Sequence, residues 1–309
     1  MRLEAWQAAG RWFRYRGHAV FYRDEGRGEA LLCLHGFPTA SWDWHRIWPE
    51  LTRRFRVIAP DFLGFGFSDK PRHHPYSIFD QATLVESLLC ALRVRSCHLL
   101  AHDYGATVAQ ELLARFLQRR QQGLDCIAMD SVCLLNGGLF PEAHRPLPIQ
   151  RLLRSPLGGL ASRLMSRAGF RRSFSRIFAP ANRPSPAELE QFWTLVRHGG
   201  GARIAHRVIR YLDERRRHRE RWVSALQHAM VPVRLIWGLD DPVSGAGVAA
   251  RYRQLIAAPD LIELAGVGHY PQLEAPAAVL AGLQGLLERC RRTTVAGAAE
   301  ATSARPASA

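Results

Sequence analysis

An alternation constrains this chain most: short, nearly continuous apolar runs are separated by segments with helical periodicity. The runs are LLCLH (31–35), RVIAPD (56–61), HLLAH (98–102), SVCLLN (131–136), VRLIWG (233–238) and LIEL (261–264). Between them, SIFDQATLVESLLCAL (77–92), the segment carrying Val108, Leu112, Leu113 and Phe116, and GVAARYRQLI (247–256) repeat apolar residues at helical spacing. A strand that is apolar on both faces must be covered on both. The pattern therefore predicts an α/β fold built on a mostly parallel, doubly wound sheet. Ahead of it, RWFRYRGHAVFYRDEG (11–26) reads as two short strands around Gly17.

The alternation breaks between Gly137 and Met230, a helical, proline-interrupted stretch without a convincing strand. It divides the chain into residues 1–136 and 231–290, two parts of one core, with 137–230 as an inserted helical lid. Such an insertion would lie over the carboxyl ends of the strands, where open α/β sheets bind ligands. Residues 291–309 are small, polar and patternless, and are expected to be disordered. Charge singles out the same insertion: 18 arginines against six acidic residues give it +12 of the net +15. Lys70 is the only lysine. RLLRSPLGGLASRLMSRAGFRRSFSRIF (151–178) mixes Arg with Leu, Met and Phe as interfacial helices do, and could touch an anionic membrane; a solvated lid face is the plainer reading. No nucleic-acid-binding motif accompanies the charge, so nucleic acid is not expected as a partner.

No apolar run approaches the roughly 20 residues of a membrane span, and the N-terminus lacks an uninterrupted apolar stretch of the secretory type. A cytoplasmic location follows as the expectation. Cys33, Cys90, Cys97, Cys126, Cys133 and Cys290 form no Cys-x-x-Cys pair and read as buried free thiols, so neither a metal nor a cofactor is implied.

The chemistry concentrates where LLAHDYGATVAQELL (99–113) turns from strand to helix. Asp103 stands at the tip, with Ala101 and Gly105 two residues to either side, small enough for strand and helix to pass closely. Gly-x-Ser-x-Gly occurs nowhere. A carboxylate there can attack carbon and form an ester, although a helix N-cap is the alternative role. Hydrolysing the ester needs a base, and His269 in GVGHYPQLEAP (266–276) follows the last predicted strand; a core histidine is its alternative. Asp241 in IWGLDDPVS (236–244) is preferred over Asp240 as the orienting acid, because Asp240 could be a solvated turn residue. The backbone N–H groups of Phe37, in the turn after LLCLH, and of Tyr104 could form an oxyanion hole. His35 and His102 read as structural, with contact to substrate as the second option, so His35 joins the pocket candidates.

Taken in this order, His35-Gly36-Phe37-Pro38, the Asp103 elbow, Asp241 and Gly268-His269 resemble the α/β-hydrolase fold over about residues 10 to 290. His102-Asp103-Tyr104-Gly105 is similar to the elbow of epoxide hydrolases and haloalkane dehalogenases. RVIAPDFLGFGFSDKP (56–71), HDYGATVAQELL (102–113), LNGGLFPEAHRP (135–146) and GHYPQLE (268–274) resemble the mesoderm-specific transcript group. The resemblance implies a hydrolase acting on a small lipophilic substrate with water, an epoxide first and a haloalkane second. A lipid-binding protein with a vestigial site is the non-enzymatic alternative. Phe37 stands where many dehalogenases have Asn, and Tyr104 where many have Trp, which weakens the halide reading. Epoxide hydrolases usually present two lid tyrosines as donors to the leaving oxygen; this lid offers only Tyr211, which could equally be an ordinary helix residue. Trp193 could line the pocket or pack the lid.

Overall fold

The computed structural model describes residues 1–303, with side chains through Arg292. Eight strands form one sheet: β1 (Arg11–Tyr15), β2 (His18–Glu25), β3 (Ala30–Leu34), β4 (Arg56–Pro60), β5 (Ser96–His102), β6 (Ala128–Leu135), β7 (Val233–Gly238) and β8 (Leu261–Leu264). Their order across the sheet is β1-β2-β4-β3-β5-β6-β7-β8. The first two strands are antiparallel to their neighbours, and β3 through β8 pair in parallel. The apolar runs thus become the parallel strands, buried from β3 through β7 and partly exposed in the edge strand β8, and the alternating N-terminal segment becomes the antiparallel edge.

Both faces of the sheet are covered. On one, helices Ile78–Ala91 and Tyr104–Gln121 bury Leu84, Leu88, Val108 and Leu113 with the strand residues Leu32, Leu99 and Val132. On the other, the closing helix Pro276–Ser303 buries Leu283 and Leu286 with Leu31, Leu100 and Ile236. Cys33, Cys97 and Cys133 are buried, whereas Cys90, on the outer side of its helix, is exposed and corrects the expectation of uniformly buried thiols. The closing helix enters the tail segment, residues 291–309, that the sequence leads one to expect disordered. Its backbone stays helical to Ser303, in keeping with the high helix propensity of its alanines; residues 304–309 lie outside the described residues.

Between β6 and β7 the chain is helical, from Pro148–Arg154 through Gly158–Arg163, Arg167–Ser175, Pro186–Arg197, Gly201–Val208 and Tyr211–Arg217 to Arg219–Gln227. The last of these lies along Tyr104–Gln121 on a face of the sheet. Trp222 and Arg221 anchor it there, donating to the buried Glu111 carboxylate at 2.8 and 2.7 Å. No helix among the described residues is long and apolar enough to cross a membrane.

Candidate active site

The carboxyl ends of β3, β5, β6, β7 and β8 converge on one point. Directly after β5, Asp103 adopts φ 44° and ψ −103°, a conformation an L-residue holds only when its surroundings impose it. Gly105 makes the turn possible: a Cβ there would sit 2.3 Å from the Leu34 carbonyl oxygen. Asp103 occupies the N-cap position of Tyr104–Gln121, yet its side chain makes no capping hydrogen bond. Its Oδ2 instead accepts from the Phe37 N–H at 3.1 Å and its Oδ1 from Arg215 Nη2 at 3.3 Å. The carboxylate is aimed at the site rather than at its own helix.

His269 follows β8. Its Nδ1 donates to Asp241 Oδ2 at 2.7 Å, and its Nε2 stands 4.0 Å from Asp103 Oδ2. Asp241, just past β7, also accepts from the Val243 N–H (2.7 Å), the Ser244 hydroxyl (2.6 Å) and Asn136 Nδ2 (2.9 Å). Asn136, at the end of β6, ties this corner to β7 through the Gly238 N–H and carbonyl, at 2.7 and 2.8 Å. Burial opposes ionisation of Asp241, but His269 and these donors outweigh it and hold the carboxyl well below its usual range. Burial likewise opposes the imidazolium, and Asp241 followed by Asp103 outweighs it, so the His269 pKa rises to about 9.

Two further histidines shape this point without titrating near neutrality. His35 Nδ1 donates to the Gly36 carbonyl at 2.9 Å, and its Nε2 accepts from the Phe62 N–H at 3.1 Å, fixing the turn that carries Phe37. His102 Nε2 donates to the His269 carbonyl at 2.7 Å. Burial drives both rings down to about 3, so they remain neutral.

From the helices between β6 and β7, Arg215 descends onto the turn that carries Asp103. It is buried, and donates to the Thr107 hydroxyl at 2.7 Å and to the Asp103 carbonyl at 2.9 Å, besides its contact with the carboxylate. Burial pushes the Asp103 carboxyl up; Arg215 is the largest opposing influence, and the net shift is downward. Asp103 is therefore ionised at neutral pH. Tyr211, one helical turn before Arg215, packs its ring under that guanidinium at 4.5 Å and edge-on to Tyr104 at 4.9 Å. His144 lies beside Arg215 near Gly138; burial, then Arg215, lowers its pKa to about 4.

Above Asp103 and His269 opens a cavity of about 390 Å³ whose walls come mainly from the lid, including Leu152, Leu153, Leu164, Met165, Phe170 and Phe174. Gln150, Ser166 and Ser173 are its few polar lid residues. An ionised carboxylate beneath an apolar chamber can engage an uncharged, lipophilic electrophile.

A family model described as alpha/beta hydrolase fold matches residues 29–276. The chain belongs to that family. It is 44% identical to the mesoderm-specific transcript homolog protein of Homo sapiens over 296 residues, covering 92% of this chain and 88% of that protein. Among solved structures, the haloalkane dehalogenase DbeA from Bradyrhizobium elkani superposes with a TM-score of 0.76 at 23% identity, covering 92% of this chain and 99% of the other. The epoxide hydrolase CorEH does so at 0.73 and 20%, covering 91% and 98%. At these identities the two structures speak for the fold alone.

In this alpha/beta hydrolase, Asp103, His269, Asp241 and the Phe37 and Tyr104 backbones meet at one point, whereas three other sequence-derived candidates stand elsewhere. His35 is walled off by its own hydrogen bonds and touches no part of the cavity. Trp193 faces inward from its helix against Phe170 and packs the lid. Tyr211 stands behind Tyr104 and under Arg215, outside the residues that line the cavity, with its hydroxyl buried and without a hydrogen-bond partner among the described residues. Sequence reasoning missed Arg215, His144 and Asn136. Of these only Asn136 carried a local signal, as a polar residue ending an apolar strand in LLNGG.

Proposed function

We propose that this hydrolase uses Asp103 as a nucleophile toward a lipophilic epoxide and releases the product by hydrolysing the resulting ester. The observation that carries the reading is the ionised, non-capping Asp103 carboxylate on a strained elbow, with His269 Nε2 at 4.0 Å and an apolar cavity above both.

In the first step an Asp103 carboxylate oxygen bonds to an epoxide carbon and the ring C–O bond breaks. The alkoxide takes up one proton; His269, protonated at rest with a pKa of about 9, is the group that can release it. Esterification removes the negative charge of Asp103, one of the influences that raised that pKa, so the imidazole is left neutral and ready to act as a base. In the second step His269 takes a proton from water, and hydroxide adds to the ester carbonyl. The Phe37 and Tyr104 N–H groups stabilise the oxyanion, a contribution on the order of 3 kcal/mol for each donor. Collapse releases the diol and restores both the carboxylate and the imidazolium. Asp241 holds the ring through Nδ1 and stabilises its charged form.

Leaving-group chemistry favours oxygen over halide. A halide is held by N–H donors such as indoles, and neither Trp nor Asn is among the cavity residues, whereas Gln150, Ser166 and Ser173 can donate to an oxyanion. Assaying Asp103→Ala and His269→Ala against matched panels of epoxides and haloalkanes tests the reading. Both variants should fold and lose diol formation, without halide release by the wild type. Diol formation by Asp103→Ala would overturn it.

A further inference from the structure

The helix Gly158–Arg163 is amphipathic the wrong way round for a helix surrounded by water. Its inward side buries Gly158 and Ser162, the latter accepting from the His206 N–H at 3.0 Å, against the helix Gly201–Val208. Its outward side carries Leu160 and, flanking the helix, Leu157 and Leu164, which are 56%, 62% and 71% exposed. The spacing of 157, 160 and 164 places them on one stripe. Leu152, on the neighbouring helix Pro148–Arg154, is 43% exposed. Among the described residues, half of the large exposed hydrophobic side chains fall in these 13 residues. Packing of the lid's own core does not explain leucine outside and glycine inside.

The charge of the segment that carries the stripe identifies its occupant. Residues 145–183 contain nine arginines and no acidic residue. Arg154 and Arg167 are paired from elsewhere in the lid, with Asp213 and Glu190. Arg151, Arg163, Arg172 and Arg176 are exposed and form no ion pair among the described residues. A second copy of the same face would set these charges against each other, whereas an anionic lipid surface neutralises them while its acyl region accepts the leucines. Leu152 and Leu164 are exposed and also line the cavity over Asp103 and His269. The stripe is therefore continuous with the mouth of the site.

We propose that Leu152, Leu157, Leu160 and Leu164, with the exposed Arg151, Arg163, Arg172 and Arg176 of the same segment, dock the lid on an anionic bilayer and open the cavity to lipophilic molecules dissolved in it. The docking face stands independently of the chemistry proposed for Asp103; the delivery of substrate from the bilayer rests on that chemistry.

Flotation of the full-length protein with phosphatidylcholine vesicles, and with vesicles of phosphatidylcholine and phosphatidylglycerol in equal parts, tests it. The expected result is binding to the mixed vesicles only, weakened by salt. Each arginine near such a surface contributes roughly fivefold in partition, so combined Arg151→Gln, Arg163→Gln, Arg172→Gln and Arg176→Gln should reduce binding at least about a hundredfold. Combined Leu157→Ser, Leu160→Ser and Leu164→Ser, all at exposed positions, should retain the fold and reduce binding by about a hundredfold as well. Leu157→Trp should show a blue-shifted indole emission on the mixed vesicles, and Asp103→Asn should bind like the wild type. Absence of binding to either vesicle overturns the proposal. So does binding that survives the leucine changes, which would be electrostatic adhesion alone. Concentration-dependent dimerisation abolished by the leucine changes would make a second copy the occupant and overturn it too.

Discussion

Replacing Arg215 by glutamine should raise the pKa of the Asp103 carboxyl, so that the nucleophile is lost to protonation at a higher pH than in the wild type. Arg215 Nη2 lies 3.3 Å from Asp103 Oδ1 with both groups buried, and at an effective dielectric constant of about 20 such a pair interacts by roughly 5 kcal/mol. Arg215 is the largest influence lowering this carboxyl, so losing it raises the pKa. The Phe37 N–H and His269 remain, but burial is the largest single influence on this group and acts in the same direction as the loss. Titration of protein labelled with carbon-13 at the aspartate carboxyls, with Asp103 assigned by difference from Asp103→Asn, measures the change directly and requires no substrate. In the wild type Asp103 should titrate below the ordinary aspartate range, and in Arg215→Gln at a distinctly higher pH. Ester formation should acquire an acid limb at the same pH, and Arg215→Lys, which keeps a positive charge, should recover part of the shift. The reasoning is refuted if Asp103 titrates at the same pH in folded Arg215→Gln as in the wild type.

Three further outcomes follow from the same geometry. Asp241→Asn removes the main influence raising the His269 pKa, so that pKa should fall from about 9 toward or below its ordinary value, read by imidazole NMR, while ester hydrolysis slows more than ester formation. His269 has a raised folded-state pKa, so its contribution to stability is fully present below about pH 6.5 and disappears as the pH rises through about 9; the contribution is on the order of 3 kcal/mol. Urea unfolding between those pH values should therefore show a steeper loss in the wild type than in His269→Gln, and parallel curves would contradict it. Gly105→Ala forces a Cβ to within 2.3 Å of the Leu34 carbonyl, and should cost about 1 to 3 kcal/mol with disproportionate loss of activity as the elbow shifts; a neutral substitution in thermal denaturation would argue against the close approach.

The sheet was legible because burial on both faces forces a parallel strand to be apolar throughout, a signal contained within each strand. The elbow was legible for a related reason: Asp103, Ala101 and Gly105 are neighbours in sequence, and strand ends define where His269 and Asp241 must emerge. Arg215 was not legible. It is one of 18 arginines in the inserted segment, and nothing local distinguishes it from Arg216 or Arg217; only the way the helix Tyr211–Arg217 descends on the elbow selects it. The phase of the same helix, which no local signal gives, sets the Tyr211 ring under Arg215 and beside Tyr104. For Trp193 the sequence left two roles open: a tryptophan on an amphipathic helix packs inward or faces a cavity according to the helix opposite, here the one carrying Phe170. Arg219–Gln227 shares the composition of the lid, and its place along Tyr104–Gln121 depends on the buried Glu111 as acceptor for Arg221 and Trp222.

The most direct test of Asp103 as nucleophile is mass spectrometry of His269→Gln protein after exposure to lipophilic epoxides and, separately, haloalkanes. Without the base the ester should persist once formed, the alkoxide taking its proton from water in place of His269. The account predicts a mass increase equal to the whole epoxide, mapped to Asp103 and absent in Asp103→Ala. A folded His269→Gln protein that remains unmodified by every epoxide while the wild type turns one over, or an adduct on a residue other than Asp103, would contradict it.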